Sequence, residues 1–527
     1  MIYGAKLGSS ISRPAQYIMF ANGSADQDCV DEVMSEEQQV VTCPSSEEFR
    51  ASAWVSCREQ YDKIYRRSVE DPNGFWGGEA SKYFWETKWK SSNGNVHSGN
   101  FDLRKGPISV EWFKGGKTNI CYNALDKHVK AGKGDDIAIY WEGNEPWQHK
   151  RLSYKELLGM VCQLANFLRS VGVKKGDSVA IYLPMLPELP TAMLACARIG
   201  AIHTVVFGGF SADALGQQLI ASKAKVLITT SRVWRGRKVI KLKEIVEEAL
   251  SRALAEEGFT IETCLTIEND STVKRRDTPL TKKKDVSWQD LMSSYSTECD
   301  VEWVHAEDPL FLLYTSGNTG TPKGIVHTVG GCMVYTAATF KYMFDYHAGE
   351  VYWCTTDCGW ITGHSYLIYG PFLNRAAVVL FEGIPTYPYA SRYWEVIDKY
   401  SVNIFYTTPT TIQALMCFGD EFMKAYSQKS LRLLGSIGEP INNNAWRWFY
   451  EAVGNQHCPI IDIRWQMKLG GFESTTIEDK KSELSRESNG ALYLKALWPG
   501  TCTTILGDNS QYVMQDLTPF KSYKFSR

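Results

Sequence analysis

The sequence predicts an α/β protein made of two similar doubly wound subdomains, and three observations lead there. Between Leu152 and Thr230, segments with helical apolar spacing alternate with short strand-like runs. A second alternation of the same kind runs from Phe311 to Ser436. Strands separated by helices favour parallel pairing in an open sheet covered on both faces. The third observation is the Gly- and Thr-rich stretch Tyr314–Thr328 (YTSGNTGTPKGIVHT), which leaves the apolar run Phe311–Leu313. Doubly wound sheets carry their ligand loops at strand exits, so the two subdomains are expected to face each other across a cleft at the carboxyl ends of their strands.

In the first alternation, Tyr154–Val171 has apolar residues three and four apart and predicts a helix, ended by Gly172 and Gly176. Strands are expected at Ser178–Pro184, Ala201–Val206 and Lys225–Thr230, with helices at Pro190–Ile199 and Ala212–Ser222. In the second, helices are expected at Gly330–Phe344, near His364–Leu373, at Ala390–Lys399 and at Pro409–Phe418. The strands between and after them are Val351–Thr355, Ala377–Phe381, Asn403–Thr407 and Leu431–Ser436. Glu257–Glu298 is polar and turn-rich and reads as a connection. Order is expected to begin near Glu47; residues 1–46 read as a disordered tail or a transit segment, because the first 25 lack Asp and Glu and the rest are acidic. The aromatic-rich stretches Arg66–Trp89 and Val110–Val129 read from their residues as packing helices.

At 527 residues and 44% hydrophobic content, the chain can bury large cores. A net charge of −2 argues against charge-driven binding of nucleic acid or a membrane surface. The clusters Lys274-Arg275-Arg276 and Lys282-Lys283-Lys284 read as solvated loops. No apolar run approaches the roughly 20 residues that span a bilayer. The fourteen cysteines form no CxxC pair and read as reduced thiols of an intracellular protein, in cytosol or plastid.

The loop has its own chemistry. Glycines let the backbone approach an anion closely, hydroxyls and N–H groups donate to it, and Lys323 adds a cation. The spacing is not the Walker pattern, which excludes a kinase- or GTPase-type phosphate loop. TSGNTGTPKG resembles the phosphate-binding signature of the AMP-forming acyl-CoA synthetases, within the adenylate-forming superfamily, with Asn318 where Ser is usual. The resemblance implies that Thr315, Ser316, Gly317, Asn318, Thr319, Gly320 and Lys323 cradle pyrophosphate, with Thr319 and Lys323 also catalytic.

Further segments are similar to acetyl-CoA synthetases in particular, beginning with the order of the aromatics in the two N-terminal stretches. In DCGWITGHSY, Asp357–Tyr366, a loop at a strand end is expected to present Trp360, Thr362 and His364. The residues alone make His364 hydrogen-bonded scaffolding. The resemblance places Ile361 and Thr362 in the acyl pocket, and Thr362 and Thr386 along the path of CoA. In GSIGEP it assigns Gly438, Glu439 and Pro440 to adenine and Ile437 to the acyl pocket. Ile where many acetate enzymes have Val narrows that pocket by a methylene, worth about 1 kcal/mol against larger acids. WRGRKVIKL, Trp234–Leu242, reads alone as a basic helix start on a solvated face; the resemblance makes Arg235 and Arg237 ligands of the 3′-phosphate and adenine end of CoA.

DIRWQMKLGG, Asp462–Gly471, departs from the family's DTWWQTETGG. By resemblance Asp462, Trp465 and Gln466 contact nucleotide, and Trp465 shortens the acyl pocket and is counted among the catalytic residues. Met467 replaces a phosphate-contacting Thr, Lys468 replaces the Glu that helps hold Mg2+, and Arg464 replaces a Trp. An ammonium cannot ligate a metal, so the metal ligands are unknown and impaired catalysis is expected.

Glu473–Asn489 then forms a short polar bridge, the pattern resumes at Gly490–Tyr512, and the chain stops at Arg527 where the family continues. By resemblance this implies an incomplete small β-barrel, with Leu492, Leu494 and Leu497 less covered and low stability, and no mobile C-terminal domain. The expected organisation is therefore an N-terminal segment at 47–140, an AMP-binding α/β domain at 141–472 and a barrel remnant at 473–527. The implied function is acetate:CoA ligation with ATP, CoA and acetate as small-molecule partners and Mg2+ as the ion. The alternatives are a non-catalytic nucleotide- or CoA-binding homologue and, as a lesser one, a propionate ligase.

Overall fold

The computed structural model describes residues 45–90, 95–100, 109–269, 284–315, 322–463, 475–477, 491–494, 498–502, 504–506 and 524–526. Two large sheets dominate. Their strands are, in chain order, β1 (Ile137–Glu142), β2 (His149–Ser153), β3 (Ser178–Tyr182), β4 (Ile202–Val205), β5 (Val226–Thr230), β6 (Thr263–Ile267), β7 (Asp285–Ser287) and β8 (Pro309–Thr315). They continue with β9 (Lys323–Thr328), β10 (Val351–Cys354), β11 (Ala377–Phe381), β12 (Val402–Thr407), β13 (Leu433–Ile437), β14 (Ile460–Ile463) and β15 (Thr504–Ile505).

The first sheet runs β7-β6-β5-β3-β4-β8-β9-β15 and is parallel from β7 to β8. The second runs β14-β13-β12-β10-β11-β1-β2 and is parallel from β14 to β1. The chain thus begins in the second sheet, builds the first, and returns. Central strands such as β3 and β5 are buried along their whole length, as expected for strands covered on both faces.

Local chemistry explains the helices. Tyr154–Ser170 opens with a reciprocal capping box between Ser153 and Glu156, buries one apolar face, and is followed by Gly172 at φ 88°. Ala212–Ser222 and the strand Ala377–Phe381 fall at the bounds expected from the sequence. The N-terminal segment contributes helices Arg58–Glu70 and Pro72–Ala80 and a strand pair, His97–Asn100 with Ser109–Trp112. Its Trp76, Trp85 and Trp112 join the same apolar core as the first sheet.

Several expectations are corrected. Lys323–Thr328 is not loop but strand β9, antiparallel to β8, because its Ile325 and Val326 are buried there. The Gly/Thr segment therefore joins two strands of a hairpin. The presumed connection Glu257–Glu298 contains β6, whose buried Cys264-Leu265-Thr266-Ile267 run is easily overlooked between charged flanks. WRGRKVIKL is not a helix start. Val233–Arg235 and Lys238–Ile240 pair as a tight hairpin turning at Gly236, φ 59°, and the helix begins at Leu242. Within Val110–Val129, Lys117–Thr118 is a strand and helix begins only at Ile120. Ile361–Leu373, expected to open as a loop, is helical throughout, with a wider π-type turn over His364–Tyr369.

Thr475–Ile477, Ala491–Leu494 and Lys524–Ser526 form a three-stranded antiparallel sheet. Among the described residues, the cysteines form no disulfide, and no helix is long and apolar enough to cross a membrane.

Candidate functional site

The carboxyl ends of the two sheets are tied to each other. Asn269, two residues beyond β6, donates a 2.6 Å hydrogen bond to the Glu382 carboxylate directly after β11. Arg235, on the hairpin after β5, donates to the Glu382 carbonyl at 3.2 Å. Gly236 of the same hairpin exchanges two hydrogen bonds with the Asn144 side chain beyond β1, at 2.9 and 3.0 Å. Gly359 packs so closely on Phe207, beyond β4, that an added Cβ would lie 2.8 Å from its backbone and side chain.

Beyond β13, the turn Gly438-Glu439-Pro440 stands open: Gly438, at φ 94°, and Pro440 are exposed. Glu439 is half-buried, and its carboxylate accepts from the Thr410 N–H at 2.8 Å and from the Thr410 hydroxyl. Thr410 lies in the first turn of helix Pro409–Met416, where unpaired N–H groups and the helix dipole favour a carboxylate. Ile437, at the end of β13, is buried.

The helix Ile361–Gly363 follows β10. Ile361 and Thr362 are buried, while Trp360 is 39% exposed. His364 is buried, and burial pushes its imidazole down to about 4. The neutral ring donates from Nδ1 to the Trp360 carbonyl at 3.0 Å and packs between Phe311 and His203, with centroids at 4.4 and 5.4 Å. This is the scaffolding role read from the sequence. His203 in turn meets the Tyr369 hydroxyl at 2.6 Å.

Asp357 lies in the same strand-to-helix link, and burial raises its carboxyl although nearby Arg235 pulls it down. A separate hollow lined by Arg169, Lys174, Lys175 and Glu302 lies at the amino ends of β3 and β4, opposite the loops just described. Two of its bases are engaged: Lys175 pairs with Asp308 at 2.7 Å, and Arg169 reaches Cys299 Sγ at 3.3 Å.

Residues 125–511 match the family described as AMP-binding enzyme, and residues 61–124 match the acetyl-coenzyme A synthetase N-terminus. The chain belongs to the AMP-binding enzyme family. It is 52% identical over 519 residues to "Acetyl-coenzyme A synthetase, chloroplastic/glyoxysomal" of Arabidopsis thaliana, covering 94% of this chain and 69% of that protein. It is 42% identical over 503 residues to the acetyl-coenzyme A synthetase of Drosophila melanogaster, covering 90% and 75%. Acetoacetyl-CoA synthetase from Streptomyces lividans superposes with a TM-score of 0.80 over 92% of this chain and 77% of its own; at 20% identity it speaks to the fold alone.

As a member of this family, the chain is α/β with two parallel-dominated sheets, and its expected site residues fall as follows. Thr315 ends β8, and Lys323, half-buried, begins β9. Ser316, Gly317, Asn318, Thr319 and Gly320 lie outside the described residues, as do Arg464, Trp465, Gln466, Met467 and Lys468. Gly438, Glu439 and Pro440 share one turn, and Asp462, exposed, sits beside Ser436 in the β13–β14 pairing. Arg235 is half-buried and turned toward Glu382, whereas Arg237 is exposed at the hairpin tip. Thr386, half-buried, lies in the loop after β11.

Sequence reasoning missed Asn144, Asn269 and Glu382, which join the two sheets. The signals were slight: Glu382-Gly383 and Phe207-Gly208-Gly209 both follow strands, where glycine marks a turn.

Proposed function

We propose that the chain is an AMP-forming acetate:CoA ligase. The observation that carries this is its 42–52% identity, over 90–94% of its length, to proteins named acetyl-coenzyme A synthetase. The acetate oxygen attacks the α-phosphorus of ATP, giving acetyl-AMP and pyrophosphate; the CoA thiolate then attacks the acyl carbon and AMP leaves. In this reading the Gly438–Pro440 turn takes adenine, Ile361, Thr362, Ile437 and Trp465 wall the acyl group, and Thr315–Gly320 with Lys323 take pyrophosphate. Asp462 and Gln466 complete the nucleotide contacts, and Arg235, Arg237, Thr362 and Thr386 serve CoA. Catalysis of the first step is mainly positioning and charge neutralisation.

Mg2+ is the usual ion of the family, but Lys468 stands where its carboxylate ligand is expected, and an ammonium has no lone pair to give. The donor set does not fit, so no step is assigned to a protein-bound cation.

The reading is tested with acetate, ATP, Mg2+ and labelled pyrophosphate. Exchange of label into ATP, followed by acetyl-CoA formation when CoA is added, supports the ligase. ATP binding without exchange supports the non-catalytic alternative, which the relatives do not favour, and exchange faster with propionate than acetate redirects the substrate. Met467→Thr with Lys468→Glu is expected to raise the exchange rate. A compartment shared with the Arabidopsis relative is proposed for plastid or glyoxysome import assays to decide.

A further inference from the structure

We propose that Asn144 is the positioning residue of the CoA-binding turn Arg235-Gly236-Arg237. The inference rests on the reading of Arg237 as a ligand of CoA phosphate and adds how the fold presents it. Asn144 is 2% exposed, and its side-chain amide brackets the backbone of Gly236: Nδ2 donates to the Gly236 carbonyl at 3.0 Å and also to Glu145 Oε1 at 3.2 Å, and the Gly236 N–H donates to Oδ1 at 2.9 Å. One side chain thus does for the tip of the hairpin what a neighbouring strand does for a ladder residue. Both polar groups of a buried glycine are satisfied, which a hydrophobic residue at 144 could not do.

The anchor itself is rigid. Asn144 lies two residues beyond β1, whose terminal Glu142 is fully buried and gripped by Arg392 at 2.6 Å and Lys399 at 2.9 Å. The hairpin, by contrast, extends from β5 of the other sheet, with three residues in each arm. Close company at its tip comes from beyond β1 and β11: an added Cβ on Gly236 would meet Ile384 Cδ1 at 3.1 Å and Tyr387 at 3.5 Å. Arg235 is occupied by the Glu382 carbonyl, so the turn is clamped at two consecutive residues and the third, Arg237, is left exposed. A guanidinium on a clamped backbone loses less freedom when it takes a phosphate than one on a free loop, and that saving appears as affinity.

The test uses the 527-residue chain and titrates CoA, 3′-dephospho-CoA and AMP by calorimetry, with hydrogen exchange followed at the Gly236 amide. Asn144→Ala is expected to weaken CoA by about tenfold, leave AMP unchanged and speed exchange at Gly236. Combined with Arg237→Ala it is expected to add nothing to the loss that Arg237→Ala causes alone, because Asn144 acts through that residue. Gly236→Ala, which displaces the turn while leaving the Asn144 side chain unchanged, is expected to give the same selective loss of CoA and serves if Asn144→Ala does not fold. Equal losses of CoA and AMP, or additive losses in the double variant, overturn the proposal. So does a loss at Arg237→Ala with none at Asn144→Ala, and in that case the CoA reading stands. A parent chain that does not bind CoA, or binds it equally after Arg237→Ala, overturns the CoA reading and the proposal together.

Discussion

Asn269 and Glu382 meet at 2.6 Å, joining the residues beyond β6 of one sheet to those beyond β11 of the other. Glu382 is 3% exposed, and burial pushes its carboxyl up to about 7, against the pull of Asn269 and Arg235 and with the help of Glu188. The folded state therefore holds this proton more tightly than the unfolded chain. The stabilisation is complete below the unfolded value of 4.5 and is lost as pH rises through about 7. Glu382→Gln, which stays neutral, is expected to gain on the parent between pH 5 and pH 8 by up to about 3 kcal/mol. Urea unfolding across that range measures it, and a difference that does not change with pH would contradict the assignment.

Glu142 and Arg392 are both fully buried and meet at 2.6 Å, with Lys399 and the Tyr400 hydroxyl also on the carboxylate. Removing Arg392 takes one of two cations from the buried carboxylate and leaves it to Lys399 and Tyr400. Arg392→Met is expected to cost about 3–5 kcal/mol in denaturant unfolding, and adding Glu142→Gln is expected to recover part of it. If the double variant is the sum of the two single losses, the pair is not coupled as described.

A Cβ on Gly363 would lie 2.4 Å from the Asp357 carbonyl oxygen and 2.5 Å from Cys358 Cα. Both are backbone, so neither can rotate aside. Gly363→Ala is expected to cost about 1–3 kcal/mol and to shift the neighbouring Thr362. Acetate-dependent pyrophosphate exchange is then expected to fall more than ATP binding. Unchanged exchange would remove this turn from the acyl pocket.

The Glu439 carboxylate binds the Thr410 N–H at 2.8 Å and so fixes the turn proposed to take adenine against the start of a helix. Glu439→Ala leaves that donor without its charged partner and is expected to cost about 1.5–3 kcal/mol, read as weaker AMP binding in calorimetry. Acetate and CoA arms of the site are expected to keep their affinity, and loss of all three together would instead mean that the domain has unfolded.

Much of this architecture was legible in the chain. Alternating apolar patterns located Ala212–Ser222 and Ala377–Phe381, because a helix face and a buried strand write their periods locally. The Gly438-Glu439-Pro440 turn and Arg235 and Arg237 stood out by their resemblance to family motifs. What escaped were elements defined by distant partners. β9 is a strand because β8 lies beside it, and Val233–Ile240 is a hairpin because Gly236 can take φ 59° and Asn144 waits for it 92 residues upstream.

Residue types and their order thus determined the fold class and family and supplied most of the groups proposed for a CoA ligase. Tertiary structure alone decided their use. It turned Arg235 inward to Glu382 and left Arg237 outward, and it buried Thr362 in a helix while leaving Trp360 at the surface. Direction and burial are set by which strand ends meet, and single polar residues, Asn144, Asn269 and Glu382, contribute to that meeting. None of them repeats or forms a pattern, so the sequence carries no periodic sign of them.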